Sequence, residues 1–328
     1  VRRESRTQAT VVATALFVGG LACGAVVGRA AVARAQDPFL QIDLLARVIT
    51  TVEHDYVDEV PRDVLVDAAI EGMLAALDDQ SRWLDADQLR SLREDADGAA
   101  LGLVPEDVPT KVAPSGRELV EAELLPPGVV VVRLAQFPGG TAGRLHEAVD
   151  EAASPIGGIP SLRGLVLDLR DNPGGLLSEA VAVSDLFLDE GPIVRTAGRR
   201  PGDDEVYTAT PGGFPPGLPV AVITNAMSAS ASEIVVAALQ DTHRGTIVGE
   251  RTYGKGSVQQ VYLHTNSRGS ALKLTVGRYF TPSGAPVASH QGRAPDVEIA
   301  PALTPCEGEI GLRWECDPQL RAAVATLP

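Results

Sequence analysis

Three short, almost unbroken apolar runs, Val129–Leu134, Gly164–Leu169 and Leu218–Thr224, each lead within a few residues into a stretch with helical spacing. Runs of this length that do not alternate with polar residues belong to strands covered on both faces, as parallel strands are in α/β proteins. The helices expected between them are Thr141–Ala153, Leu177–Leu188 and Ser230–Gln240, and a further strand is expected at Thr246–Gly249. Such alternation implies an α/β core. Gln260–His264 and Ser270–Tyr279 extend it as two strands joined by a polar turn. Aromatic residues are only 4% of the chain, so this core must be built of Val, Leu, Ile and Ala.

Ahead of the core, residues 37–97 read as a helical subdomain. Leu44, Leu45, Val48 and Ile49 fall at helical spacing, a second helix runs from about Val64 to Leu77, and a third starts near Asp85-Ala86-Asp87. Residues 98–127 are rich in Pro, Gly and mixed charge and read as a linker or short hairpin, with Ala100–Leu103 as a short strand. Residues 1–36 carry Arg2, Arg3 and Arg6, an apolar run from Ala9 to Gly28, and Ala33-Arg34-Ala35, the three-part pattern of a secretory signal. A run of about 20 residues also suffices to cross a bilayer, so a cleaved signal peptide and a signal anchor tethering the chain through residues 9–28 both stand. Either places the bulk of the chain outside the cytoplasm, in the periplasm or cell envelope. Cys23 reads as a small apolar residue of that segment. In the tail, residues 304–328, Cys306 and Cys316 can pair in an oxidising compartment; two separate thiols are the alternative. The net charge of −15 argues against nucleic acid or an anionic membrane surface as the main partner.

Three turns could carry chemistry. After the Leu218–Thr224 strand comes S-A-S-A-S-E, Ser228 to Glu233, at the head of a helix. Free N–H groups and the helix dipole favour an oxyanion there. The plain alternative is a helix cap, since Ser230 and Glu233 fit S-x-x-E. A serine nucleophile needs a group to take its proton. None of His54, His146, His243, His264 and His290 has an obvious carboxylate orienter, though a Ser-His-Asp hydrolase stays as an alternative. Lys255, in the turn Thr252–Gly256, is better placed. To act as a base near pH 7 its pKa must fall by roughly 3 units, a cost of about 4 kcal/mol that burial can impose. Gln259, four residues on, can accept a hydrogen bond from the amine without adding charge. A solvated surface lysine is the plain alternative. The Gly249–Lys255 spacing approaches that of a phosphate loop, but Gly256 stands where such a loop binds magnesium through Ser or Thr. The third turn, Asp168–Gly175, follows a buried strand, and its Pro173-Gly174-Gly175 bares backbone N–H groups, or is a connection and no more. Nothing here calls for a metal or cofactor.

Together, Gly164–Gly175, Ser228–Ile234 and Gly249–Gln259 resemble the carboxyl-terminal processing peptidases, or tail-specific proteases, of family S41. Gly277–Gly284, Pro295–Glu298, Ala69–Leu77 and Asp317–Leu320 fit the same resemblance. It implies a crotonase/ClpP-like mixed sheet-and-helix protease core over residues 128–303. It also implies a serine endopeptidase acting on protein or peptide substrates, near their C-termini, with Ser230 as nucleophile, Lys255 as base and Gln259 assisting the lysine. The oxyanion hole it implies is built from the N–H groups of Ala231 and Gly174, with Gly175 beside them. Ser228 and Ser232 become neighbours of the site and Glu233 a helix-start residue. The family usually carries a PDZ domain before the Val129-like strand. Here about 25 residues separate Leu103 from Val129, and a folded domain needs on the order of 50 or more. Substrate choice would then rest on the cleft, the helical subdomain, or an adaptor or activator. A homodimer is left open. A catalytically silent binding module on the same fold is the alternative, and the joint presence of Ser230, Lys255 and Gln259 argues against it.

Overall fold

The computed structural model describes residues 38–95, 119–263, 269–287, 292–302, 314 and 316–328. The signal segment 1–36, the Ala100–Leu103 strand, Cys306, His264 and His290 lie outside the described residues. Among the described residues no helix is long and apolar enough to cross a membrane. The chain divides into two compact units, one ending at Met73 and one running from Leu74 to Pro328.

The first unit holds α1 (Pro38–Asp55) and most of α2 (Arg62–Ala75). Arg62 closes the gap between them by gripping Glu53 with two parallel hydrogen bonds, of 2.7 Å from Nε and 2.5 Å from Nη2.

The second unit contains two sheets. Its elements are β1 (Arg82–Leu84), α3 (Ala86–Asp95), β2 (Val120–Leu125), β3 (Val129–Leu134), α4 (Thr141–Ala153), β4 (Gly164–Asp168), α5 (Leu177–Asp185), β5 (Pro192–Gly198), β6 (Glu205–Thr208), β7 (Val220–Thr224), α6 (Ala231–Asp241), β8 (Thr246–Gly249), β9 (Ser257–Leu263), β10 (Ala271–Phe280), β11 (Val297–Glu298) and α7 (Pro318–Ala325). The larger sheet has the order β11-β8-β7-β4-β3-β2 and is parallel except for β2. Its strands are buried on both faces, as their unbroken apolar runs require. Val130, Val132, Leu165, Leu167, Val222 and Ile247 pack on one side with residues of α4, α5 and α6. Val131, Val166, Ala221, Ile223 and Val248 pack on the other with Leu320 and Ala323 of α7. Helix α6 is buried from Ala231 through Leu239, which explains its lack of a polar face. In the second sheet β10 is the spine: β9 pairs along one edge, and β1 and β5 pair along different parts of the other.

Two expectations change. The irregular reading of 98–127 stops too late, because Val120–Leu125 forms β2, antiparallel to β3. Its alternating V-E-A-E-L is an edge-strand pattern that the following Pro126-Pro127 obscures. The helical subdomain also ends early: Arg82–Leu84 is a strand in register with Lys273, Leu272 and Ala271 of β10, and it belongs to the second unit. Its three residues are too short to show a period, so only the partner strand defines it.

Helix α7 is joined to the strand end of β4 by a buried ion cluster. Arg170 holds Asp168 through Nε at 2.9 Å and Nη2 at 2.7 Å, and reaches Asp317, the cap of α7, at 2.8 Å. Burial pushes the Asp168 carboxyl up, but the Arg170 charge and hydrogen bonds outweigh it and hold the group below the ordinary range. Stability from this group is therefore complete above the unfolded value near 4 and is lost as pH falls through the lower folded value. Urea unfolding is expected to show a steep loss of stability below about pH 4, and a shallower one in Asp168→Asn.

Candidate active site

Strands β4, β7 and β8 are neighbours and parallel, so the turns that follow them emerge side by side at the carboxyl edge of the sheet. These are the three turns singled out above.

The serine turn is held on both sides. Ser228 is fully buried and donates its hydroxyl to Leu169 O at 2.8 Å, while Ser232, equally buried, donates to Asn172 O at 3.0 Å. Both hydroxyls tie the turn after β7 to the turn after β4. Ser230, between them, is only half-buried. It sits at the N-cap of α6 with φ 56° and ψ −112°, a strained region for a residue with a side chain. Such strain at a strand-to-helix turn lifts a hydroxyl toward solvent. Ala231 N–H has no hydrogen-bond partner among the described residues.

Asn172 organises the neighbouring turn from within. Its Nδ2 donates to Leu134 O at 2.8 Å, its Oδ1 accepts Gly174 N–H at 2.9 Å, and its carbonyl accepts Ala229 N–H at 3.0 Å. Gly174 has φ +102°, and a Cβ there would lie 2.7 Å from Ala229 O and 2.8 Å from the Ser230 Cβ. Only glycine permits this approach. Its N–H is turned to Asn172, whereas the Gly175 N–H has no partner among the described residues. Gly174→Ala is expected to cost about 1–3 kcal/mol from backbone strain alone, and more from the clash, as a lowered thermal midpoint.

Glu233 links the serine turn to the lysine turn. It is 0% exposed. Its Oε2 accepts Ser230 N–H at 2.9 Å and Lys255 N–H at 2.7 Å. Its Oε1 accepts the Thr252 hydroxyl and Gly254 N–H, both at 2.7 Å. Tyr253 N–H adds a bond to Ser228 O at 3.0 Å. In sequence, Glu233 reads as a helix-start residue. It is also the pin between the two turns, a role that no local pattern reveals because Thr252–Lys255 lies some twenty residues on.

Burial lowers the Lys255 pKa from its ordinary value; Glu233 opposes this and Arg82 of β1 adds to it. Lys273 of β10 is pushed down to about 8 by burial and by the charges of Lys255 and Arg82. Lys255 lines a cleft of about 560 Å³ with Tyr253, Ser257, Thr275, Arg278 and Asp78 among its walls. Gln259 lies on β9, half-buried, directly opposite Thr275. Of the histidines, His146 stacks on Phe214 at 5.4 Å, and His243 follows the far end of α6 from Ser230, about 15 Å or more along the axis. Cys316 is disulfide-bonded.

The family model for peptidase family S41 matches residues 128–299. The chain is 43% identical over 172 residues to the carboxy-terminal-processing protease of Bartonella bacilliformis, covering 52% of this chain and 39% of that protein. It is 27% identical over 345 residues to the carboxy-terminal processing protease CtpA of Bacillus subtilis, covering 84% of this chain and 72% of that protein. Among solved structures, the photosystem II D1 C-terminal processing protease matches with a TM-score of 0.57 and 26% identity over 78% of this chain and 92% of that chain. The match spans about two fifths of the Bartonella protein's length, as it does for the chloroplastic C-terminal processing peptidase of Tetradesmus obliquus. The matched segment holds all three turns and the sheet that aligns them, and the chain belongs to peptidase family S41.

Proposed function

We propose that this chain is an extracytoplasmic serine endopeptidase of the Ser–Lys type that cleaves protein or peptide substrates near their C-terminal ends. The observation that carries the reading is the Glu233 clamp, which joins a strained, half-exposed serine to a turn bearing a half-buried lysine of lowered pKa. The Ser230 hydroxyl attacks the scissile carbonyl while the neutral Lys255 amine takes its proton. The oxyanion that forms is met by Ala231 N–H at the head of α6 and by a glycine of the Gly174-Gly175 turn. Gly174 can serve once its N–H leaves Asn172 Oδ1, and the Gly175 N–H beside it has no partner among the described residues. Lys255 then returns the proton to the leaving amine, and water, activated by the same lysine, releases the acyl group. Gln259 orients the amine.

The segment between the helical subdomain and β3 is too short for a PDZ domain on this reading. The relative from Bacillus subtilis aligns over 345 residues against a chain of 328, so it has residues without a counterpart here. Selection of C-terminal ends would then fall to the cleft beside Lys255. Incubation of the full chain with β-casein, with products mapped by mass spectrometry, tests this. Cuts clustered toward the C-terminal end are expected. Cuts spread evenly along the substrate would remove the C-terminal preference from the proposal, and an absence of cutting would count against peptidase activity.

A further inference from the structure

Strand β10 carries a break in its register. Thr275 stands opposite Gln259 of β9, but Gly277 stands opposite Val258 and Arg278 opposite Ser257, so Val276 has no partner of its own on β9. This is a β-bulge, and one extra residue changes which side chains share a face. Three residues apart, Thr275 and Arg278 would point to opposite faces of a regular strand. Here both lie on the face of Gln259 and Ser257, whose side chains are themselves hydrogen-bonded at 3.1 Å. Gly277 packs closely against β5 at this point: a Cβ there would lie 2.9 Å from Ala197 O. The bulge brings Arg278 into the cleft of about 560 Å³ that Lys255, Ser257 and Thr275 also line.

Arg278 is exposed and makes no hydrogen bond or ion pair among the described residues. A guanidinium stays charged and offers a planar fork of N–H donors that fits a carboxylate. The acids of the cleft stand elsewhere. Asp78 and Asp79 come from the loop before β1, which is tied to β10 at Thr275, whose N–H donates to Ser81 Oγ at 3.1 Å. Asp78 is engaged with the N–H groups of Gln80 at 2.9 Å and Ser81 at 2.6 Å. Along β10 this acidic wall is about 7–10 Å from the arginine. We infer that Arg278 is the specificity-determining residue that takes the free C-terminal carboxylate of the substrate, an inference that rests on the Ser–Lys peptidase reading. The bound peptide then lies with its carboxylate at the Ser257 end of the cleft and its chain running back toward Lys255. Ser257 is two residues, about 7 Å, beyond Lys255, and an arginine side chain extends the reach by about as much again. An extended peptide covers such a span in roughly two to four residues, so cuts that close to the end are expected.

The test compares two forms of one unstructured peptide, a free C-terminal acid and a C-terminal amide, as substrates of the full chain. Amidation removes the terminal charge and leaves the rest of the peptide unchanged. The acid is expected to be cleaved with a kcat/KM about 10–100-fold higher, the size of a charge-assisted hydrogen bond, with the difference mostly in KM because the contact lies away from the reacting atoms. Arg278→Gln is expected to bring the ratio near one. Arg278→Lys, which keeps the charge without the fork, should leave a smaller preference. A purely structural role would lower cleavage of both forms alike and keep the parent's ratio. A parent that cleaves both forms equally overturns the inference before any variant is made, as does a Gln variant that keeps the parent's preference. Lys255→Ala run alongside separates the two levels. Cleavage that survives it, or no cleavage by the parent, sinks the Ser–Lys reading and the inference with it. Cleavage that is lost in it but indifferent to the terminus sinks only the role of Arg278.

Discussion

Ser230→Ala and Lys255→Ala are each expected to lower kcat/KM for an unstructured protein by about 10⁴–10⁶-fold, with the variants folded. Among the described residues, little else near Ser230 could do the work. The flanking hydroxyls of Ser228 and Ser232 are committed to carbonyls across the adjoining turn. Among the described residues, neither His146, stacked on Phe214, nor His243, beyond the opposite end of α6, is placed to serve as base. Lys255→Arg should be as inactive as Lys255→Ala, because a guanidinium stays protonated and cannot accept the serine proton. The parent should lose activity as pH falls through the lowered Lys255 value, since only the neutral amine is a base. The acid limb therefore lies below the ordinary lysine value of 10.5. Steady-state kinetics from pH 5 to pH 10 reads both effects.

Glu233→Ala is expected to destabilise the fold by about 3–5 kcal/mol, a fall of roughly 6–20 °C in thermal midpoint for a chain of this size. The loss has a definite origin. The Ser230, Gly254 and Lys255 N–H groups and the Thr252 hydroxyl would all face an apolar void, each left without its acceptor. Glu233→Gln is the finer probe. It keeps the shape and one oxygen, but its NH₂ must confront two of the four donors. It is expected to fold with a smaller loss of stability and to lower kcat by about 10²-fold, since a displacement of about 1 Å between nucleophile and base has an effect of that size. A Gln variant with full activity would show that the clamp holds the fold without aligning the site.

The parallel core was legible because its pattern is local: each of Val129–Leu134, Gly164–Asp168 and Val220–Thr224 is buried on both faces and looks so in sequence. The mixed α/β class followed from it. The edge elements were not legible. Arg82–Leu84 is only a strand because β10 lies beside it, Pro192–Gly198 has no strict alternation of apolar and polar residues, and Glu205–Thr208 is only four residues, mostly exposed. The three turns stood out by residue type and by the strands that precede them. Their common position depends on β4, β7 and β8 being neighbours, which is topology and not pattern. For the same reason Glu233 and Asn172 were missed as organisers. Each acts on residues far along the chain, and a buried polar side chain with distant partners leaves no sequence signature.

The most direct test of the central claim is covalent labelling of the full chain with a fluorophosphonate, followed by peptide mapping of the adduct. The label is expected on Ser230 alone, formed at a rate that rises with pH through the lowered Lys255 value and that collapses in Lys255→Ala. A label on another residue, or labelling of Ser230 at the parent rate in Lys255→Ala, would contradict it.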